Sequence, residues 1–360
     1  MIRAGLVGFG MAARVFHGPL LSSIEGLELA AVMERTTNKA AERYPGITVH
    51  RSLAAMLADS SLDLFVVATP NSTHFEIAKE ILAAGKNVVV DKPMTMTSAQ
   101  AAALIALAKT HNALLAPFHN RRWDSDFLTV RKLLHEGALG RIVAVESRFD
   151  RWRPARMTER LWKEDLDSGG MLQDLGPHLV DQALALFGLP AAVSAEVVRE
   201  RDGAGPNDSF NIRLRYSRPD HSDLIVVLAS NLLSLPSGPR FHLRGVRGGY
   251  LKLGVDAQEA ALNKIVRITD ADWGQEASSA WGILHVDVGS GSVSRPVPAI
   301  KGDYRLYYAA IRDTLLGNAP APVTGIDGWR VARLLEWAVE SSEMRREIAC
   351  DWTQEPKSSQ

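Results

Sequence analysis

A glycine-rich turn sits directly behind the first apolar run of the chain, and no other feature narrows the fold as much. The run Ile2–Val7 leads without a spacer into Gly8-Phe9-Gly10-Met11-Ala12-Ala13, after which a helical pattern begins. Strand, G-x-G-x-x-A, helix is the order that brings a pyrophosphate onto helix-terminal amides. Gly8 serves the tight turn, Gly10 the close approach of backbone to phosphate, and Ala13 the helix–strand packing. Phe9, Met11 and Ala12 complete the expected cofactor loop. Glycine-rich turns are common on their own; the placement between strand and helix gives this one its weight.

The rest of the first 118 residues repeats that grammar. Apolar runs at 27–33, 64–68, 88–90 and 114–116 are continuous rather than alternating. A strand covered by helices on both faces has no wet side, so continuous apolarity predicts a parallel sheet. Helical patterns at 73–84 and 98–110 lie between the runs, the second with Thr97 and Ser98 available as caps. The alternation predicts right-handed crossovers and a doubly wound α/β domain over 1–118.

Beyond residue 119 the pattern changes. A helix is expected at 127–135 and strands at 142–149, 194–199, 211–216 and 224–230, with closing helices at 304–316 and 325–343. Asn211-Ile212-Arg213-Leu214-Arg215-Tyr216 alternates strictly, which puts three apolar side chains on one face of an antiparallel sheet. Residues 119–350 therefore read as an α+β domain with a large open, mainly antiparallel sheet, followed by a polar tail at 351–360. Such a sheet, polar on one face, also suggests a homo-oligomer, a dimer or tetramer.

Composition excludes several function classes. The 360 residues carry 41 basic and 41 acidic side chains, against the Lys/Arg excess of a nucleic-acid binder. No apolar run reaches the roughly 18 residues that span a membrane. The N-terminus shows no cleavage site of the signal-peptide kind, and the lone Cys350 excludes a disulfide framework. The expected compartment is the cytoplasm. Glu34, about 20 residues past the glycine loop, is placed to accept the ribose hydroxyls and favours NAD. Its neighbours Arg35 and Thr36 would suit the 2′-phosphate of NADP, and the alternative for Glu34 is a solvated charge at a strand end.

Several segments together resemble the glucose–fructose oxidoreductase/inositol dehydrogenase (Gfo/Idh/MocA) family: GLVGFGMAARVFHGPLL at the N-terminus, ATPNSTH at 68–74, VVVDKP at 88–93 and GGMLQDLGPHLVDQALALFG at 169–188. The resemblance spans nearly the whole chain. HNRRWDSDF at 119–127, and DKP where EKP is commoner, resemble a narrower branch that includes NADP-dependent scyllo-inositol dehydrogenases. The resemblance implies a Rossmann domain, a second domain with an open sheet that mediates oligomerisation, and hydride transfer between NAD(P) and a hydroxyl of a sugar or cyclic polyol. Alternatives on the same fold are a dinucleotide-binding sensor without turnover and a redox-neutral enzyme that recycles a tightly held cofactor.

By motif, the resemblance assigns the catalytic roles to Lys92, Asp174 and His178. Chemically the set is sensible: a histidine as base for the hydroxyl proton, a lysine to stabilise developing alkoxide, an aspartate to orient. Pro177 reads as the first residue of a helix at 177–187, with Asp174 in the segment leading into it. Asp174, His178 and Asp181 would have metal-ligand spacing only on a continuous helix, which Pro177 argues against, so no metal is expected. Further cofactor contacts are expected from Thr69, Pro70, Asn71 and His74, from Asp91, Lys92 and Pro93, and from Asn120. Thr73 has the alternative role of a helix cap, and His74 that of a surface residue. Substrate-side candidates are Arg121, Arg122, Trp123, Arg151, Arg153 and Trp162. Against this, Trp123 can serve as interdomain packing and an arginine can pair with Asp124 or Asp126. An arginine-rich cleft suits a polyol and equally an acidic or phosphorylated sugar.

Overall fold

The computed structural model describes residues 1–155, 168–220, 222–264 and 268–357. Its first sheet contains β1 (Ile2–Val7), β2 (Leu27–Met33), β3 (Thr48–His50), β4 (Leu64–Val67), β5 (Asn87–Val90) and β6 (Leu115–Pro117). They run parallel in the order β3-β2-β1-β4-β5-β6, the doubly wound arrangement in which the chain reverses direction beside β1. Continuous apolarity is explained by the packing of β4. Leu64 and Val66 enter one hydrophobic cluster and Phe65 and Val67 another, on opposite faces of the sheet. Thr97 caps the Ser98–Thr110 helix, its hydroxyl accepting from the Gln100 amide at 3.2 Å.

The second sheet has nine strands: β7 (Ile142–Arg148), β8 (Ala192–Val198), β9 (Ser209–Tyr216), β10 (Leu224–Asn231), β11 (Phe241–Gly245), β12 (Gly248–Lys252), β13 (Gly282–Asp287), β14 (Ser292–Val297) and β15 (Ile348–Ala349). Their order is β14-β13-β12-β11-β7-β10-β9-β8-β15, antiparallel except for the parallel pair β7–β10. In β9 the residues Phe210, Ile212, Leu214 and Tyr216 are buried while Asn211 and Arg213 face solvent, the alternation that the sequence shows. This inner face packs on the Gly170–Phe187 and Gly325–Met344 helices.

The Gly325–Met344 helix joins the two halves. Thr324 and Asp327 form a capping box at its start, Trp329 packs in the core beneath the first sheet, and Leu334, Leu335 and Trp337 pack in that of the second. Glu336 on the same helix accepts from the Ser98 amide and hydroxyl at 2.7 and 2.6 Å. Tyr304, Tyr307, Tyr308 and Ile311 from the Arg305–Leu315 region pack back onto the first domain's strands. The cleft between the sheets is thus held from behind by packed elements.

One local expectation fails. Pro177 does not begin a helix: Gly170–Phe187 is continuous, with Pro177 inside it. Proline removes one backbone bond and crowds the preceding turn. Leu172, Leu175 and Leu179 on either side are at most 3% exposed, so tertiary packing holds the helix through the defect. The helix start is tied by Asn207, whose backbone carbonyl accepts from the Met171 amide and whose side chain accepts from Leu172 and donates to the Gly169 carbonyl. Gly170 has φ +66°, and a Cβ there would lie 2.2 Å from the Asn207 carbonyl oxygen, which accounts for the glycine.

Candidate active site

The cleft opens at the carboxyl ends of β1, β4 and β5, where ligands bind in open α/β sheets. It has a volume of about 350 Å³ and is walled on the far side by the Gly170–Phe187 helix and the segment after β7. Gly10, Met11 and Ala12 line its floor together with Thr69, Pro70 and Asn71. Gly8 has φ +91°, and a Cβ there would come within 2.9 Å of Thr69, so only glycine brings β1 so close to the end of β4. A Cβ at Gly10 would meet nothing within 4 Å, so the backbone itself faces the open cleft. The first intrahelical bond runs from Arg14 N to Gly10 O, leaving the amides of the preceding turn for an anion. This geometry fits a dinucleotide.

Asp91, Lys92 and Pro93 leave the end of β5, the Lys92–Pro93 bond being cis. The Lys92 ammonium donates to the Asp174 carbonyl at 2.6 Å and to its carboxylate at 3.0 Å. Because the helix is continuous, Asp174 and His178 share one face, and both line the cleft with Lys92. Burial first, then the Lys92 and Arg121 cations, push His178 well below the usual imidazole range. The ring is therefore neutral near pH 7, and its buried Nδ1 has no hydrogen-bond partner among the described residues. Asp91 is braced by His17, a fully buried ring that contacts Tyr308 Oη at 2.6 Å through Nδ1 and Asp91 at 3.8 Å through Nε2. Burial raises the Asp91 carboxyl, but hydrogen bonding and charge from His17, with Lys92, outweigh it and lower the pKa.

Several other candidates turn away from the cleft or are already engaged with partners. Glu34 is 6% exposed, its carboxylate accepting from Thr37 Oγ1 at 2.5 Å and from the Ala40 amide at 2.8 Å. It is thus neither solvated nor free for a ribose, while Arg35 and Thr36 beside it are exposed. His74 is buried, with contacts from its two ring nitrogens to the Pro93 and Thr69 carbonyls that lock the ends of β4 and β5 together. Thr73 does not cap the following helix; its hydroxyl bonds Thr69 and the Pro70 carbonyl. Asn120 and Arg121 line the cleft, but the Arg121 guanidinium is committed to Asp124 at 3.2 Å and Glu259 at 2.5 Å. Arg122 grips Asp181 and the Pro322 carbonyl, and lies 3.4 Å from Asp327, so it bridges helices. Trp123 packs edge-on against Tyr307 with ring centroids 5.6 Å apart. Arg151 and Arg153 line the cleft, and Trp162 lies outside the described residues.

The pairing with Arg122 also takes Asp181 out of any set with Asp174 and His178, although the helix is continuous. Among the described residues no group of three His, Cys, Asp or Glu is placed to hold a metal, and no helix is long and apolar enough to cross a membrane. Sequence reasoning missed several contributors. His17, Glu259, Arg201 and Asn207 reach the cleft or brace it from remote positions, and only turn-forming residues around 202–208 marked the last two.

Comparison with known proteins agrees with this geometry. A family described as oxidoreductases with an NAD-binding Rossmann fold matches residues 2–119, and the GFO/IDH/MocA C-terminal domain matches residues 127–251. The chain is 41% identical over 345 residues to the oxidoreductase YdgJ of Escherichia coli K12, covering 96% of this chain and 97% of that one. It is 35% identical over 348 residues to the scyllo-inositol 2-dehydrogenase (NADP(+)) IolW of Bacillus subtilis 168, covering 96% and 95%. Among solved structures, the oxidoreductase yvaA from Bacillus subtilis superposes with a TM-score of 0.92 at 34% identity, covering 97% of this chain and 98% of that one. YPO2259 from Yersinia pestis gives 0.90 at 41% identity, covering 97% of both.

Proposed function

The chain belongs to the Gfo/Idh/MocA family of NAD(P)-dependent oxidoreductases, and from that premise we propose that it moves a hydride between NADP and a secondary hydroxyl or ketone of a sugar or cyclic polyol. The observation that carries this reading is the convergence of Lys92 and His178 on one cleft beside the Gly10 loop. The bound nicotinamide supplies the hydride acceptor or donor. The residues of the chain do the rest. Neutral His178 takes the hydroxyl proton in the oxidation direction. Lys92, held by Asp174, aims its remaining N–H at the reacting oxygen and stabilises the charge that develops there. Asp174 is thus a positioning residue for Lys92. Asp91, fixed by His17, faces the cofactor side of the same cleft.

The choice of NADP over NAD rests on three supports. Glu34 has its carboxylate turned inward and occupied, so it offers neither a ribose contact nor full repulsion to a 2′-phosphate. Arg35 is exposed beside it. The relative IolW is named as an NADP(+) enzyme, and its scyllo-inositol, like the substrate of the D-glucoside 3-dehydrogenase of Escherichia coli, which is 30% identical over 196 residues, supports a polyol or sugar. Nicotinamide fluorescence with NADPH and NADH, followed by turnover on a sugar and inositol panel, tests the reading. Tighter NADPH binding with turnover is expected; binding of neither would sink it. The outer face of the nine-stranded sheet supports a homo-oligomer, which light scattering tests; a clean monomer would remove it.

A further inference from the structure

The cations of the cleft divide into two groups when each is matched with its partner. Lys92 is held by Asp174, Arg121 by Asp124 and Glu259, and Arg201 by Asp208 at 2.8 Å. Arg151 and Arg153 have no side-chain hydrogen bond or ion pair among the described residues, although both line the cleft. The adjacent carboxylate cannot serve them: Asp150 is buried and committed to Arg148 at 2.7 Å and to the Gly238 amide at 3.2 Å.

Arg151 is half-buried and Arg153 exposed, and the backbone that carries both is tied down by hydrogen bonds. Arg151 N donates to the Asn231 carbonyl at 2.9 Å, Ser234 N to the Arg151 carbonyl at 3.1 Å, and Arg153 N to the Leu232 carbonyl at 2.8 Å. Trp152 and Leu233 form a bridge in this ladder. The strand-like alternation sends Arg151 and Arg153 to the cleft side and leaves Trp152, 51% exposed, on the other. Burial lowers the Arg151 pKa, and its electrostatic neighbours are Asp174, Arg153, Glu259 and Arg121, all of the substrate wall rather than of the Gly10 loop. A guanidinium held partly desolvated, with carboxylates nearby but none in direct contact among the described residues, gains from an anion that reaches it. Its fork geometry matches a carboxylate or a phosphate in bidentate fashion.

We propose that the substrate of this site is a sugar or polyol carrying an anionic group, a carboxylate or a phosphate monoester, which Arg151 and Arg153 bind while a hydroxyl of the same molecule meets Lys92 and His178. This rests on the dehydrogenase reading above and narrows it. A neutral polyol satisfies hydroxyl-binding groups but leaves the Arg151 charge unmatched.

The test is isothermal titration of D-glucuronate, D-glucose 6-phosphate and D-glucose into protein saturated with NADP+, for wild type and for the variant Arg151→Gln/Arg153→Gln. At least one anionic probe is expected to bind wild type about 10- to 100-fold tighter than glucose, the range of charge-assisted hydrogen bonds, with an advantage that shrinks as salt is raised. Preference for glucuronate identifies a carboxylate, preference for glucose 6-phosphate a phosphate. In the variant the ratio is expected to fall to near one, while NADP+ binding, measured separately, stays as in wild type. Equal or tighter binding of glucose, no binding of either anion, a preference that survives in the variant, or loss of NADP+ binding in the variant would each overturn the proposal. Failure of wild type to bind any nicotinamide cofactor would instead remove the dehydrogenase reading on which it rests.

Discussion

Two clusters of charged side chains lie near one another in this molecule, and they differ in how their partners are arranged. From the cleft wall at Arg121 back to Ser125, every cation has its carboxylate. Arg121 meets Asp124, Arg240 meets Asp126 at 3.1 Å, and Lys252 meets Glu276 at 3.2 Å, with Tyr304 and Ser147 adding hydrogen bonds. The Arg240 guanidinium is also stacked between Phe149 and Phe241, 4.0 and 4.1 Å from the ring centroids. Burial pushes Asp256 in this cluster up to about 6. In the cleft, by contrast, Lys92 keeps a free direction, His178 Nδ1 has no partner, and Arg151 and Arg153 are unmatched among the described residues. The same residue types thus serve as scaffold where they close on one another and as chemistry where they remain open to a ligand. Burial alone does not separate the two: His178 is 5% exposed and Arg121 7%.

The contrast is sharpest in variants that split activity from stability. His178→Ala is expected to cost about 10²- to 10⁴-fold in kcat/KM with a melting temperature near wild type, measured by steady-state kinetics and calorimetry. Asp126→Ala should do the reverse. It leaves Arg240, 1% exposed, without its carboxylate, and is expected to destabilise the fold by about 3–5 kcal/mol in denaturant titration. Lys92→Met is expected to lower kcat by about 10²- to 10³-fold with cofactor binding retained. Arg35→Ala should weaken NADPH by about tenfold relative to NADH in fluorescence titration. Thr324→Ala removes the cap of the bridging helix and should cost only about 1 kcal/mol. An Asp126 variant as stable as wild type, or a His178 variant that unfolds, would break the division drawn here.

His178 also sets a pH dependence. Its folded pKa lies below the unfolded imidazole value, because the buried ring resists protonation. Its contribution to stability is therefore complete above pH about 6.5 and is lost as pH falls from there through the folded pKa. Thermal melts of wild type and His178→Ala, close near neutrality, should separate on acidification through that window, wild type losing stability that the variant keeps; parallel curves would contradict the assignment.

How far the sequence reached follows from the range of each interaction. The Gly8–Ala13 loop and the strand ends at Asn71 and Lys92 are local patterns, and the structure brings them into one cleft. The helix start expected at Pro177 failed because a local rule met a longer helix anchored by Leu172, Leu175 and Leu179. Glu34 was read by its spacing, but its carboxylate direction depends on Thr37 and Ala40, which spacing does not encode. Arg121 and Arg122 look alike in sequence. Only the fold brings carboxylate partners from far along the chain, Glu259 to the first and Asp181 to the second. The second sheet's later strands β11–β15 are short and interrupted, so alternation had little length in which to show.

The most direct test of the account is the pH dependence of kcat/KM for substrate oxidation in wild type beside His178→Ala, with folding of both verified. The account predicts a wild-type rate that holds from neutrality to below the ordinary imidazole pKa and then falls, and a variant that is slower and lacks that acidic limb. An unchanged rate and an identical profile in the variant would contradict it.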